Sequence, residues 1–272
     1  MQTAPAQEIY GERLFSTRQD TERERLDLLA QTWDPATTAH LRTLPLAEAR
    51  SILEIGPGAG SIADLLAESA PHAEVTALDR DTTLLRLRNP RVRPLQADIT
   101  DAGLELGAFD LIHARCVLMH LRDHEAVLAR LVSWLRPGGH LVLSDTAELG
   151  FPHSSNADYR ATMQALSQVI TTHLGSDQNH GLGHPARFRQ HDLTDIRLTT
   201  ALPTVTGDAP ISLWWQLTLE QARPELIRTG LVDAPALDRA LYHMAQPTTH
   251  ELSIALLTCS GRKRQDQNQP TG

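Results

Sequence analysis

The stretch SILEIGPGAGSIADLLAESA, residues 51–70, decides the architecture. Its first five residues, Ser51 to Ile55, are a short apolar run of the kind that forms a buried strand. A glycine-rich turn follows at Gly56 to Gly60, and residues 61–70 then read as a helix. Downstream the same rhythm repeats. AEVTALD (73–79) predicts a second strand and DTTLLRLR (81–88) a second helix, with further strands at VRPLQAD (92–98) and FDLIHA (109–114). HEAVLARLVSWL (124–135) predicts an amphipathic helix with Val127, Leu128, Leu131, Val132 and Leu135 on one face. Pro137-Gly138-Gly139 should stop it before a fifth strand at HLVLSD (140–145). Strands alternating with helices imply a mostly parallel sheet covered on both faces, joined by right-handed crossovers.

Around this core the pattern is less regular. Residues 1–20 carry little apolar periodicity and read as an arm. Leu26, Leu29 and Trp33 then recur at helical spacing, and Asp34-Pro35 is expected to start a second helix. Residues 156–173 read as helix, DIRLTTAL (195–202) as a strand, and residues 210–246 as two or three helices broken at Pro224 and between Gly230 and Pro235. ELSIALLTC (251–259) reads as a last strand and GRKRQDQNQPTG (261–272) as a disordered tail. The expected division is an N-terminal arm and helical lid over 1–45, a Rossmann-like core over 46–150, acceptor-side helices with the last two core strands over 151–260, and the tail.

Composition narrows the function. The net charge of −8 argues against a duplex nucleic-acid partner, which would need a basic face. No apolar run reaches the length of a membrane span, and Met1 to Asp20 holds no signal-type stretch, so a cytoplasmic protein is expected. Two cysteines, Cys116 and Cys259, are too few for a disulfide framework and read as buried thiols. Lys263 is the only lysine; the arginine bias reads as the coding bias of a GC-rich, bacterial genome.

The chemistry centres on Glu54-Ile55-Gly56-Pro57-Gly58-Ala59-Gly60. Ligands of open parallel sheets sit at the carboxyl ends of the strands, and glycine there lets backbone approach a ligand closely. A dinucleotide loop starting at Gly56 would place its third glycine at position 61, which is Ser61. Here the third glycine comes one residue earlier, and Glu54 precedes the loop, where a carboxylate can meet the amino end of an amino-acid ligand. Asp79 ends the second strand and can accept from ribose hydroxyls. Asp98 ends the third strand and can accept from an adenine amino group while Ile99 packs on the ring.

EIGPGAG, LDRD, QADI, FDLIHARCVLMHL and LRPGGHLVLSD together resemble, in order and spacing, the class I S-adenosylmethionine-dependent methyltransferases. The likeness covers residues 20–145 well and is nearest to bacterial small-molecule, natural-product-type enzymes. It implies an α/β, Rossmann-like, seven-stranded sheet with the last strand antiparallel, an N-terminal helical segment, and a helical insertion before that strand. It also implies S-adenosylmethionine as cofactor and S-adenosylhomocysteine as product. Glu54 and Gly56 would line the methionine end, Asp79 take the ribose, Asp98 and Ile99 hold the adenine, and His113, Ala114 and Arg115 edge the sulfonium, with Gly58, Gly60 and Arg80 also in the cofactor-binding set. The implied reaction is methyl transfer to a small acceptor such as a secondary metabolite of antibiotic type. O- or N-methylation is favoured and C-methylation left open. A cofactor-retaining cyclase or rearrangement enzyme and a non-enzymatic sensor are the alternatives on the same fold.

A hydroxyl or ammonium acceptor must lose a proton, and a histidine would serve. His120, which follows the fourth strand, is the first candidate among 13 histidines, then His113 and His153. Tyr10, His153, Trp214 and Trp215 are candidate acceptor-pocket residues, one of the two tryptophans being expected to face the core. His180 and His184 lie four apart, but Gly181 and Gly183 argue against a helical metal pair, so no metal is expected. The oligomeric state, monomer or homodimer, stays open.

Overall fold

The computed structural model describes Leu14, Phe15 and residues 21–265. In chain order the elements are α1 (Glu22–Leu41), β1 (Ser51–Ile55), α2 (Ser61–Ser69), β2 (Glu74–Asp79), β3 (Val92–Gln96), β4 (Phe109–Arg115), α3 (His124–Trp134) and β5 (Leu135–Ala147). They continue as α4 (Ala157–Val169), α5 (His184–Gln190), β6 (Thr194–Ala201), β7 (Thr204–Val205), α6 (Pro210–Thr229), α7 (Ala234–Met244), β8 (Glu251–Leu252) and β9 (Ala255–Arg262). They fall into two compact units. The sheet unit takes Asp34–Asp145, His180–Thr200 and the described residues from Leu257 onward. The helical unit takes the described residues up to Trp33, Thr146–Asn179 and Ala201–Leu256. Each unit draws on several stretches of chain, so neither follows the consecutive division at 45, 150 and 260, and residues 180–190 go with the sheet.

The sheet is seven-stranded, in the order β3-β2-β1-β4-β5-β9-β6. β1 pairs in parallel with β2 and β4, β2 with β3, and β4 with β5. Gly139 meets Lys263 through the backbone while Ser144 Oγ meets Thr258 Oγ1, so β9 runs antiparallel to β5, as the resemblance implied. Neighbouring residues face opposite sides of a strand. Accordingly Leu53, Ile112, Leu141 and Leu143 pack with Val127, Leu128 and Leu131 of α3 on one face. Ile52, Leu111 and Val142 pack with Ile62, Ala63 and Leu66 of α2 on the other.

Five local expectations need correction. Pro224 breaks no helix, because α6 runs through it from Pro210 to Thr229. Asp34-Pro35 starts no new helix, because α1 runs through Pro35. Thr37 and Leu41 are fully buried beyond the proline, and Arg115 grips Asp34 and Thr37 on either side of it, at 2.8 and 3.2 Å. Residues 81–88 form no helix. Asp79 and Asp81 accept from the amides two residues on, and the buried Asp64 carboxylate accepts from Arg88 N and Asn89 N. Those local bonds outcompete helical ones.

Pro137-Gly138-Gly139 does not separate α3 from its strand; it is a bulge inside β5. Phe109 pairs with Leu135, and Leu111 already with His140. The lone lysine finds its place here: Lys263 Nζ donates to the carbonyls of Val132, Ser133 and Leu135, which the end of α3 leaves open. Finally, ELSIALLTC is two strands. β8 pairs antiparallel with β7 in a separate ribbon, and β9 enters the large sheet.

In the helical unit α4 is capped by Asn156, which accepts from Tyr159 N, and packs against α6 and α7. Arg239 of α7 donates to Asp158 of α4 at 2.7 Å. No helix among the described residues is long and apolar enough to cross a membrane.

Candidate functional site

β1 delivers the glycine turn to its carboxyl end, where Gly56 N donates to Leu78 O and ties the turn to β2. Gly56, Gly58 and Gly60 take φ of 65°, 56° and 102°, left-handed conformations that a side chain disfavours. A Cβ on Gly56 would also lie 2.5 Å from Val117 Cγ2, whereas one on Gly58 would meet open space. Gly60 caps the start of α2. The turn is a backbone surface with room above it, as close approach by an extended small ligand requires.

The carboxylates around it differ in state. Asp79 ends β2 half-buried. Burial raises its carboxyl above the usual carboxylate range, against the lowering pull of the Asp81 and Arg80 amides. Arg80 is exposed beside it, and its carbonyl accepts from Gln96. Asp98 is exposed; burial would raise its carboxyl, but bonds from the Thr100 hydroxyl and amide leave it lowered, while Ile99 is buried beside it.

Glu54 and His113 face each other across β1 and β4, and His113 Nδ1 lies 2.6 Å from Glu54 Oε2. They are 2% and 0% exposed. This corrects two expectations. His113 is sealed in the sheet and cannot serve an acceptor as base, and the Glu54 carboxylate is engaged by that histidine. Ala114 is buried, and Arg115 is held by Asp34 and Thr37 instead of edging an open pocket.

His120 is half-buried at the end of a short turn, Leu118–His120, five residues beyond the end of β4. Before that turn Cys116 adopts φ 54° and its amide donates to Ser144 O. Cys116 is half-buried, not the sealed thiol expected; Cys259 is sealed, and burial pushes its thiol up to about 12. In the helical unit His153 is exposed. Trp215 is core, with its indole N–H donating to Ser253 Oγ at 2.7 Å, so it is no pocket wall. Trp214 is half-buried, edge-on to Trp215 at 4.4 Å, with the Arg25 guanidinium 5.7 Å from its ring. Tyr10 lies outside the described residues.

One cluster escaped the sequence reading. His180 and His184 do meet a carboxylate, that of Asp145 near the end of β5, and all three are buried. Burial brings the His180 imidazole down to about 4. The signal was present in Gly181: a Cβ there would lie 2.6 Å from Asp145 O. Gly181, one of the glycines that argued against a helical pair, is what lets the 180–183 turn press against β5.

An open cavity of about 500 Å³ lies at the opposite, amino-terminal edge of β4, lined by Asp110, His140, Asp195, Arg197 and Arg262 among others. It includes no residue of the glycine turn.

With this geometry in place, likeness to known proteins can be stated. The family described as methyltransferase domain matches residues 53–143, which hold the glycine turn, Asp79, Asp98 and most of β5. Methyltransferase str2 of Strobilurus tenacellus is 34% identical over 127 residues, covering 46% of this chain and 46% of that protein. Trans-aconitate 2-methyltransferase of Azoarcus sp. (strain BH72) is 36% identical over 106 residues, 38% of this chain and 42% of that protein. The matched chain spans about half the length of these curated relatives. A solved structure of Haemonchus contortus phosphoethanolamine N-methyltransferase 2, with phosphomonomethylethanolamine and S-adenosylhomocysteine, superposes with a TM-score of 0.59. It is 17% identical, over 93% of this chain and 60% of that one, a likeness of fold.

Proposed function

We propose, for a chain whose core is a class I S-adenosylmethionine-dependent methyltransferase domain, that it transfers a methyl group to a small-molecule acceptor. The observation that carries this reading is the left-handed glycine turn at the carboxyl end of β1, inside the matched stretch. S-adenosylmethionine is the cofactor and supplies the methyl electrophile. Gly56 and Gly58 fit its amino-acid portion: a Cβ on Gly58 would stand in the open space above the turn, and one on Gly56 would displace Val117. Asp79 fits the ribose hydroxyls, and Asp98 with Ile99 the adenine. The chain's part is to orient the acceptor and exclude water, an effect worth several kcal/mol.

His120 takes the proton from a hydroxyl or ammonium acceptor, since it follows β4 and is not sealed as His113 is. The acceptor is a small, secondary-metabolite-like molecule. The net charge of −8 disfavours a nucleic acid, and trans-aconitate, in the name of one relative, is itself small. Acceptor choice lies with residues 146–190 and 205–250, which fall outside the matched stretch, and Trp214 is the foremost aromatic candidate among them.

Calorimetry with S-adenosylmethionine, S-adenosylhomocysteine and NAD tests the cofactor. Binding of the two sulfur nucleosides without NAD is expected, and tight NAD binding alone would overturn the reading. Release of S-adenosylhomocysteine across a panel of small hydroxyl, amine and carboxylate compounds then tests methyl transfer. Cofactor binding with no release from any of them would favour the non-methylating alternatives.

A further inference from the structure

Asp145, His180 and His184 come from the end of β5, the 180–183 turn and the first residue of α5. They are 1%, 1% and 0% exposed. One ligand atom from each lies within 4.8 Å of the other two. His184 Nε2 is 3.1 Å from Asp145 Oδ2. That contact lacks the angles of a hydrogen bond, and Asp145 Oδ1 and both ring nitrogens of His184 have no hydrogen-bond partner. Buried polar atoms left in that state each cost about 1–3 kcal/mol, and native proteins rarely tolerate several together.

A carboxylate in such a place needs a cation. The nearby guanidinium of Arg187 is directed elsewhere, to Glu125 Oε1 at 2.9 Å and His180 O at 3.0 Å. The rings of His180 and His184 stand edge to face at 5.3 Å, and His124 stands edge-on to His180 at 4.6 Å. Polar atoms therefore converge on one buried point.

We propose that Asp145, His180 and His184 bind one divalent transition-metal cation through two imidazole nitrogens and one carboxylate oxygen. Two imidazoles with a carboxylate suit zinc, iron(II) and their neighbours and disfavour magnesium and calcium, which take oxygen ligands. Bonds of ~2.1 Å hold ligand atoms ~3.3 Å apart. The Asp145–His184 edge already has that spacing, and His180, within 4.8 Å of both, closes by a side-chain shift of at most ~1.5 Å. Three protein ligands leave a coordination position open, as in catalytic sites. The site belongs to the same carboxyl edge of the sheet as the glycine turn, yet shares no residue with it, and it stands whether or not the chain transfers methyl groups.

The test uses the full chain without a histidine tag, stripped by a chelator, then equilibrated by dialysis with zinc and assayed for bound metal and melting temperature. One zinc per chain and a raised melting temperature are expected for the unsubstituted protein and for His72→Ala, a change at an exposed histidine. Asp145→Asn, nearly isosteric, and His184→Ala should each weaken zinc binding at least a hundredfold, and magnesium should not substitute. Failure of the unsubstituted chain to bind zinc stoichiometrically would overturn the proposal without reference to any variant. So would equal binding by Asp145→Asn, or an equal loss in His72→Ala.

Discussion

Two polar groupings occupy the carboxyl edge of the sheet and are built in opposite ways. The glycine turn with Asp79 is open: backbone in left-handed conformation, a half-buried carboxylate, and space above Gly58. The Asp145–His180–His184 cluster is closed, made wholly of side chains at 1% exposure or less. The first is shaped to be covered by a ligand that arrives from solvent. The second has already lost its water and must find its partners inside. An open site keeps the cost of desolvation for the moment of binding, whereas a closed one carries it in every folded molecule.

The largest effect should come from the closed cluster. With zinc bound, His184→Ala removes one ligand of the proposed cation beside the buried Asp145 carboxylate, and should lower stability by about 3–5 kcal/mol in denaturant unfolding. Replacing Asp145 and His184 together by leucine should recover much of that, because the uncompensated charge goes too. If the single variant unfolds at the wild-type midpoint, the two groupings do not differ as described.

Gly56→Ala comes next. Left-handed strain and the 2.5 Å approach to Val117 should together cost about 2–4 kcal/mol and abolish cofactor binding. Gly58→Ala carries the strain alone, about 1–2 kcal/mol. Equal losses in the two variants would mean that crowding at Val117 is irrelevant.

Asp79→Ala should weaken the cofactor about tenfold or more, as hydrogen bonds to a charged group contribute about 1.5–3 kcal/mol. Asp81→Ala, whose carboxylate accepts from Thr83 N, should do much less. Calorimetry of the two side by side decides whether the open grouping turns on the carboxylate at the strand end.

The smallest effect sharpens the same point. Burial raises the Asp79 carboxyl in the folded chain, so the folded state holds its proton to higher pH than the unfolded state does. The ionised form therefore costs stability at neutral pH. That cost fades as pH falls through the raised value and is absent once both states are protonated. Asp79→Asn should melt slightly higher than the parent at neutral pH, with the gap closing in acid, while binding cofactor less well. A gap that widens in acid would reverse the assignment.

The same contrast explains what could be read in the chain. The glycine turn is contiguous, and its demands are conformational, so Gly56, Gly58 and Gly60 announce it at once. The strands around it are short, mostly apolar stretches. The closed cluster joins residue 145 to 180 and 184, and its decisive glycine acts through a contact with distant backbone. The missing helix at 81–88 failed for a related reason: Asp64, two elements earlier, holds the amides of Arg88 and Asn89. Where a residue's partner is its neighbour, pattern suffices. Glu54 is the instructive middle case, correctly placed at the turn, while its engagement by His113 depends on strand register.

The position of β9 has a consequence for synthesis on the ribosome. It lies between β5 and β6, although both precede it in the chain. While residues 202–254 are being made, β5 presents an unpaired edge and β6 has no neighbour in the sheet. The ligand-binding strands can form early, but the nascent chain then carries an open edge of the kind that invites association with other chains. Synthesis of residues 255–262 closes it, so a stall or truncation before residue 255 should yield an aggregation-prone product whose glycine-turn strands are already folded.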